Sequence, residues 1–164
     1  MGAFQAKEEQ TMPDIDDSQK NITPTEMAAQ YFKKGYTPEE VMRLMQSRKI
    51  FFPTISEVLN EFMGREKMSV ERLSDLSDVK PATIYRIMKK ERNPTRNTIL
   101  RMALSLALNF GETQALLKSG NCALLSASRE RDLVIMNGIE NSMDYESVNE
   151  ELVSRNMPDL NVRF

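Results

Sequence analysis

The residues best suited to chemistry in this sequence are the cations and the phenol that lie between Lys80 and Arg101. Seven basic residues in this stretch face a single acid, Glu91, although the whole chain has a formal net charge of −2 and a pI near 5.4. Closely spaced arginine and lysine can neutralise phosphates, and arginine can bind guanine through two hydrogen bonds. The stretch therefore indicates nucleic-acid binding, and a solvated charged helix face is the alternative interpretation.

The residue types that the chain lacks exclude most other chemistry. It has no histidine, and its one cysteine, Cys122, leaves too few ligands for a zinc site. Its six glycines are too scattered for a phosphate-cradling loop. We therefore expect neither an enzyme nor a cofactor, with carboxylate chemistry alone left open. The single cysteine and the lack of a signal core or a membrane-length apolar run predict a cytoplasmic protein without a membrane partner.

The spacing of apolar residues predicts an all-α fold, because no segment alternates with a period of two. Residues 1–21 are polar, acidic and aperiodic, which predicts a disordered tail. Residues 22–53 contain two capped helix starts, one from Thr23 to Glu26 and one from Thr37 to Glu40, and they predict a helical hairpin. Thr54, with Glu57 three residues later, predicts the start of the next helix.

Two helices joined by a tight turn must position the cations. The first begins at Ser69 and ends near Ser77. The turn that follows places Asp78 where a left-handed backbone is needed, a conformation that aspartate tolerates at some cost. The inward residues predicted for this first helix are Val70, Leu73 and Leu76.

The second helix begins at Lys80 or Pro81, since proline suits a first helical turn. Asn93 and Pro94 end the unit, and a third helix from about Thr98 packs back on the pair. The residues predicted to be buried on the second helix are Ile84, Ile87 and Met88. A pair of helices of this kind also occurs in all-α proteins that never bind DNA. The residues on the outward face therefore have to distinguish a DNA-binding pair from a purely structural one.

Residues 54–108 resemble the helix-turn-helix domain of the phage-repressor (Cro and repressor, or XRE) family of bacterial regulators. The chain departs from that pattern at Asp78, Ser74 and Met88, where the family favours glycine, alanine and an acid. The resemblance implies a lambda-repressor-like domain, a transcriptional regulator, and a homodimer that binds double-stranded DNA with its second helix in the major groove. The matching residues are Leu73, Ser74, Val79, Thr83, Ile84, Arg86, Ile87, Asn93, Pro94, Thr98, Ile99 and Ala103.

The resemblance and the outward pattern together give the candidate site. The residues expected to approach base edges are Lys80, Ala82, Tyr85, Arg86 and Lys89, with Pro81 and Thr83 on the same first turns. The residues expected to hold phosphates are Ser69, Lys90, Arg92, Asn93 and Arg96. The alternative function is a protein-interaction adaptor or antitoxin-like module that reuses the fold, which the acidic pI and the long flanking helices favour.

Residues 109–164 predict a helical extension of the wrong charge for DNA. From Arg129 onward there are eight acids and four bases, so we expect this part to face away from the duplex and to offer a surface for a protein partner. Its apolar residues, among them Leu133, must pack on the same chain, on a second copy or on a partner. Residues 115–124 parallel 151–160, which indicates either a duplicated helical hairpin or a chance match. The expected helix caps are Thr98, Asp132 and Asp144.

Overall fold

The computed structural model describes residues 23–47 and 53–161, and every regular element in these ranges is an α-helix. The all-α prediction is therefore confirmed for this part of the chain. The disordered tail predicted at 1–21 lies outside the described residues. The chain divides between residues 52 and 53 into two compact units. No helix in the described ranges is both long enough and apolar enough to cross a membrane.

The first unit contains a helical hairpin, α1 (Pro24–Lys33) and α2 (Pro38–Ser47). Thr23 accepts a hydrogen bond from the Glu26 amide while the Glu26 side chain accepts from Thr23, which is the capping box predicted from the sequence. Gly35 follows α1 with a φ of +87°, a conformation that glycine adopts without a steric penalty. Both helix starts expected in this region are thus confirmed.

The second unit is a bundle of helices with one hydrophobic core. Its helices are α3 (Ile55–Arg65), α4 (Val70–Ser77), α5 (Pro81–Met88), α6 (Arg96–Ser105), α7 (Phe110–Ser119), α8 (Glu130–Glu140) and α9 (Tyr145–Ser154). Pairs that pack directly include α3 with α5 and α7, α4 with α5 and α6, and α6 with α7. The central positions of this core, such as Leu59, Ile99 and Leu116, are completely buried.

The predicted C-terminal extension belongs to the core of this second unit. Ile135, Val148, Leu152 and Leu160 are fully buried within the same hydrophobic cluster as the helices before them. Helix α9 packs on α8 and on α6, and α8 also packs on α7. Leu133, expected to be covered, is instead 45% exposed, because Ile135 and Ile139 take the inward positions of α8. Of the three arrangements the sequence left open, packing on the same chain is the one observed.

The helical hairpin α8–α9 repeats the hairpin α6–α7. Arg96 donates to backbone carbonyls 27 and 28 residues ahead of it, and Arg131 does the same to Pro158 and Asp159. The Gln114 side chain pairs with the backbone of Leu125, 11 residues on, and Asn149 contacts Leu160 across the same spacing. Equivalent positions are therefore 35 residues apart, as in 96 and 131.

The turns of the two hairpins match in the same register. Left-handed residues end the helices at Ala107 and Ser142, and again at Asn121 and Asn156, with φ values between 52° and 57°. The duplication suggested by residues 115–124 and 151–160 is thus present in the fold. The sequence alignment was wrong by one residue, however, because it paired positions 36 apart. The leucines alone do not fix the alignment, because two of them are adjacent in α7 and either could be paired with the leucine of α9. The backbone geometry fixes it instead.

Gly138 on α8 should not tolerate a larger side chain. A Cβ added there would lie 2.5 Å from Cγ2 of Val148, a fully buried and branched side chain on α9. Gly138→Ala should lower the free energy of unfolding by about 1–3 kcal/mol through overpacking. Gly64→Ala, where nothing lies within 4 Å, should instead raise it by up to about 1 kcal/mol through helix propensity. Urea denaturation of both variants checks this, and a stabilised Gly138→Ala would contradict the close α8–α9 contact.

Candidate nucleic-acid interface

The turn between α4 and α5 is fixed by its own residues and by α6. Asp78 has φ 56° and ψ 27°, so the predicted left-handed residue is confirmed. Ser77 is buried, donates to the Leu73 carbonyl at 2.6 Å and accepts from the Val79 amide. Arg101 on α6 donates through Nε to the Ser77 carbonyl at 3.0 Å and through Nη2 to that of Asp78. The two helices are therefore held at a fixed angle.

The prediction that Leu76 points inward from α4 is wrong. Leu76 is 36% exposed, whereas Ser77 takes the buried position beside it. The reason is the turn itself, because the chain leaves helical geometry at Asp78 and Ser77 satisfies backbone groups there. Val70 and Leu73 are buried as expected.

Helix α5 is anchored so that one face stays outward. Ile84 and Ile87 are completely buried, and Met88 is half-buried against the same core. The Ser56 hydroxyl on α3 donates to the Met88 carbonyl at the end of α5. Pro81 occupies the first turn, as the sequence predicted. Buried isoleucines and a capped end fix the rotation of α5 about its axis.

Most of the predicted site residues are exposed, either on α5 or in the segments before and after it. Ten of the twelve are exposed, and only Thr83 and Arg96 are half-buried. Pro81, Tyr85 and Lys89 follow one another at helical spacing opposite the buried isoleucines. The remaining exposed members are Ser69, Lys80, Ala82, Arg86, Lys90, Arg92 and Asn93.

The cations of this face are largely uncommitted. Within residues 23–47 and 53–161, no ion pair involves Lys80, Arg86, Lys89 or Arg92. Lys90 lies 3.9 Å from Glu57, but both side chains are more than half exposed, so the pair is worth little. The field of these side chains is therefore available to an anionic ligand.

Arg96 differs from the other predicted phosphate ligands. Its guanidinium donates to both carboxylate oxygens of Asp132, at 3.0 and 2.9 Å, and to the carbonyls of Ala123 and Leu124. Only 22% of its side chain is exposed. Arg96 is therefore assigned to the fold, where it joins α6 to α8, and not to the phosphate contacts predicted for it.

Asp132 is the buried acceptor of this network. Besides Arg96, it accepts hydrogen bonds from Nε of Arg129 and from the Ser126 amide, at 2.9 and 3.0 Å. Burial alone would raise the pKa of Asp132, but the hydrogen bonds from Arg96, Ser126 and Arg129 outweigh it and hold the pKa below its usual range. The carboxylate is thus ionised near neutral pH and fully satisfied.

Two predicted helix caps are wrong. Thr95, not Thr98, caps α6, since its hydroxyl accepts from the Thr98 amide. Arg129 occupies the start of α8, which leaves Asp132 inside the helix and in the arginine network. The third predicted cap, Asp144, is confirmed, because it accepts from the Ser147 amide at 2.8 Å.

Glu71 is a site residue that the sequence analysis missed. The Tyr85 hydroxyl on α5 donates to Oε1 of Glu71 on α4 at 2.9 Å, and Tyr85 remains 43% exposed. This hydrogen bond raises the pKa of Tyr85 above its ordinary value. The phenol is thus neutral and held in place at the centre of the outward face. Positions 71 and 85 are 14 residues apart on different helices, so only the turn geometry could have paired them.

An open groove between α4 and α9 carries the opposite charge. The acids along it are Asp75, Asp78, Glu146 and Glu150. Val153, 57% exposed, adds an apolar side chain to the same groove. The second unit therefore separates a cationic face on α5 from an anionic groove beside α9.

No protein-family model matches this sequence, and comparisons with curated proteins and with solved structures also find no match. In the described part of the chain, no three Asp, Glu, Cys or His side chains are grouped so that they could hold a metal ion. The outstanding feature is therefore the cationic face of α5.

Proposed function

We propose that the second unit binds double-stranded DNA sequence-specifically and acts as a transcriptional regulator of the helix-turn-helix, phage-repressor-like type. The observation that carries this proposal is the exposed and uncommitted cationic face of α5, fixed by the buried Ile84 and Ile87. The major groove admits one α-helix, and arginine to guanine is the commonest specific contact there. Helix α5 enters the groove, and α4 lies across the backbone.

The proposed contacts fall into two classes. Lys80, Ala82, Tyr85, Arg86 and Lys89 lie on or beside the outward face of α5 and approach base edges, with Pro81 and Thr83 next to them. The exposed residues at the start of α4 and after α5 hold phosphates and fix the register of the protein on the duplex. These are Ser69, Lys90, Arg92 and Asn93.

A binding-site selection from random duplex DNA, run at two salt concentrations, tests the proposal. We expect an enriched sequence whose affinity falls steeply with salt, because phosphate neutralisation releases counterions. A homodimer, also part of the proposal, would select two half-sites with centres roughly 34–36 Å apart. Recovery of no preferred sequence at either salt concentration would refute sequence-specific binding.

Arg86 and Lys90 should differ in what they contribute. Arg86→Ala should weaken specific binding by about 1–3 kcal/mol and relax the preference at one base pair, because it removes a base contact. Lys90→Ala should weaken binding to all sequences alike, because it removes a phosphate contact. It should also lower the slope of log affinity against log salt concentration by about one. Repeating the selection and the salt titration with both variants measures the difference.

Both variants act on exposed side chains, so their thermal melts should match that of the parent protein. An unchanged base preference in Arg86→Ala, with the fold intact, would contradict the placement of α5 as the reading helix. A changed preference in Lys90→Ala would contradict its assignment to a phosphate.

The alternative function, a protein-interaction adaptor or antitoxin-like module, is favoured by the acidic groove between α4 and α9. A basic segment of a partner would suit this groove by charge. The two functions separate on duplex DNA, since an adaptor should show no salt-dependent DNA binding. Charge reversal at Glu150 should then weaken partner binding and leave the base preference on duplex DNA unchanged.

A further inference from the structure

The hydrogen bond between Tyr85 and Glu71 fixes the direction of one proton on the outward face of α5. An ionised glutamate has only acceptor oxygens, so the proton in the 2.9 Å contact belongs to the phenol. The Tyr85 hydroxyl has one proton and two lone pairs. Once the proton points to Glu71, the side of the oxygen that faces away from α4 can only accept.

The bases of DNA differ in what they offer to such an acceptor. In the major groove adenine presents the N6 amino group and cytosine the N4 amino group, both of which donate. Guanine presents O6 and N7, and thymine presents O4, all of which accept. A phenol oxygen that can only accept is therefore matched to adenine or cytosine and is repelled by the oxygens of the other two bases.

We infer that Tyr85 reads the exocyclic amino group of an adenine or a cytosine, and that Glu71 is the positioning residue that makes its hydroxyl an acceptor. This inference rests on the proposed function, since it names the base contact of the same face. Tyr85 is suited to it by position, because it is 43% exposed and lies on α5 four residues after Pro81 and four before Lys89. Its pKa is raised, so the phenol keeps its proton near neutral pH.

The first test deletes the hydroxyl and the amino group separately. Tyr85→Phe should relax the selected adenine or cytosine at one position and weaken the selected site by about 3- to 10-fold, the value of one hydrogen bond. In that site, purine in place of adenine, or 2-pyrimidinone in place of cytosine, removes only the amino group. This replacement should weaken DNA binding by the parent protein by a similar factor and leave DNA binding by Tyr85→Phe unchanged.

The second test concerns the direction of the proton. Glu71→Ala frees the hydroxyl to donate, so the preference at that position should broaden to include guanine or thymine. Glu71→Gln should restore adenine or cytosine, because the amide carbonyl still accepts from the phenol. Asp75→Ala is the matched control, since it removes a negative charge from the same helix without contacting Tyr85. It should change affinity at low salt and leave the base preference as it was.

The outcomes separate this inference from the proposed function. Failure of the parent protein to select any duplex sequence refutes the proposed function itself. Two other outcomes overturn the inference and leave the proposed function standing. In one, Tyr85→Phe selects the same sequence with the same base preferences as the parent protein. In the other, the preference that depends on Tyr85 is for guanine or thymine. Equal thermal melts of the parent protein, Tyr85→Phe and Glu71→Gln show that the comparison concerns binding and not folding.

Discussion

A chain that ends at Ser126 should lose cooperative unfolding. The truncation removes Ile135, Val148, Leu152 and Leu160, all of which are completely buried in the core of the second unit. Burial of such side chains contributes about 1.5–3 kcal/mol each, so the four together approach the whole net stability of a domain, about 5–15 kcal/mol. The truncation also exposes the surface of α6 and α7 that α8 and α9 cover.

The matched control is a chain that begins at Pro53 and lacks the first unit. The first unit forms a separate compact body, so its removal should leave a sharp thermal transition. Circular dichroism melts and sedimentation of both truncated chains measure the difference. A chain ending at Ser126 that melts sharply and keeps the oligomeric state of the parent protein would contradict the role of α8 and α9 in the core. One that melts sharply but has lost dimerisation would place the dimer contact on them.

Local chemistry explains why many helix starts could be predicted from the sequence. A capping box needs only a threonine and a glutamate three residues later, and both Thr54–Glu57 and Thr23–Glu26 form it. The left-handed turn at Asp78 likewise depends on neighbouring residues alone. These interactions involve atoms close in sequence, so the pattern carries the information needed.

The predictions that were wrong involve contacts between residues distant in sequence. Asp132 resembles a helix cap because aspartate before an apolar run is typical of one. Its actual role depends on Arg96, 36 residues earlier, which no local pattern reveals. The same ion pair removes Arg96 from the cationic face, although its residue type and position both suit a phosphate contact. Charge patterns locate a cluster of cations, but only the fold shows which of them are already paired.

The candidate site shows the same division. The outward residues of α5 follow from helical periodicity once Ile84 and Ile87 are taken as buried, and the exposure of Tyr85 and Arg86 agrees with this. The partner of Tyr85 could not be predicted, because Glu71 lies on another helix and the turn between them sets the distance. Which residues point outward is a local property, whereas how their hydroxyl protons are directed is a property of the packed pair of helices.

The duplicated hairpin illustrates a limit set by degenerate sequence signals. The two copies share left-handed turns at equivalent positions, and Asn109 and Asp144 cap their second helices, yet side chains differ at most of these positions, as at Gln114 and Asn149. Repeated hydrogen bonds between side chains and the backbone define the repeat more sharply than matching residue types do. The 35-residue register therefore emerges from the contacts of Arg96 and Arg131 and not from aligned leucines.

Asp132→Ala should be the most destabilising single substitution among the charged residues discussed. The side chain is 2% exposed, and its loss leaves the guanidinium of Arg96, itself mostly buried, without its counterion. Breaking a buried pair on one side costs about 3–5 kcal/mol, because the remaining charge stays desolvated. Glu140→Ala is the control, since it removes the same charge from an exposed position on α8 and should change stability by less than about 0.5 kcal/mol.

The effect should also depend on pH in a defined direction. The pKa of Asp132 is lowered in the folded protein, so its ionisation stabilises the fold fully above the unfolded value of about 3.9. This contribution is lost as the pH falls through the lower folded value. Urea denaturation of the parent protein, Asp132→Ala and the double variant with Arg96→Ala, at pH 7 and at about pH 3, measures it. We expect the gap between parent and Asp132→Ala to narrow in acid, and the double variant to lose less than the sum of the two single losses. A constant gap across this range, with additive losses, would contradict an ionised Asp132 paired with Arg96.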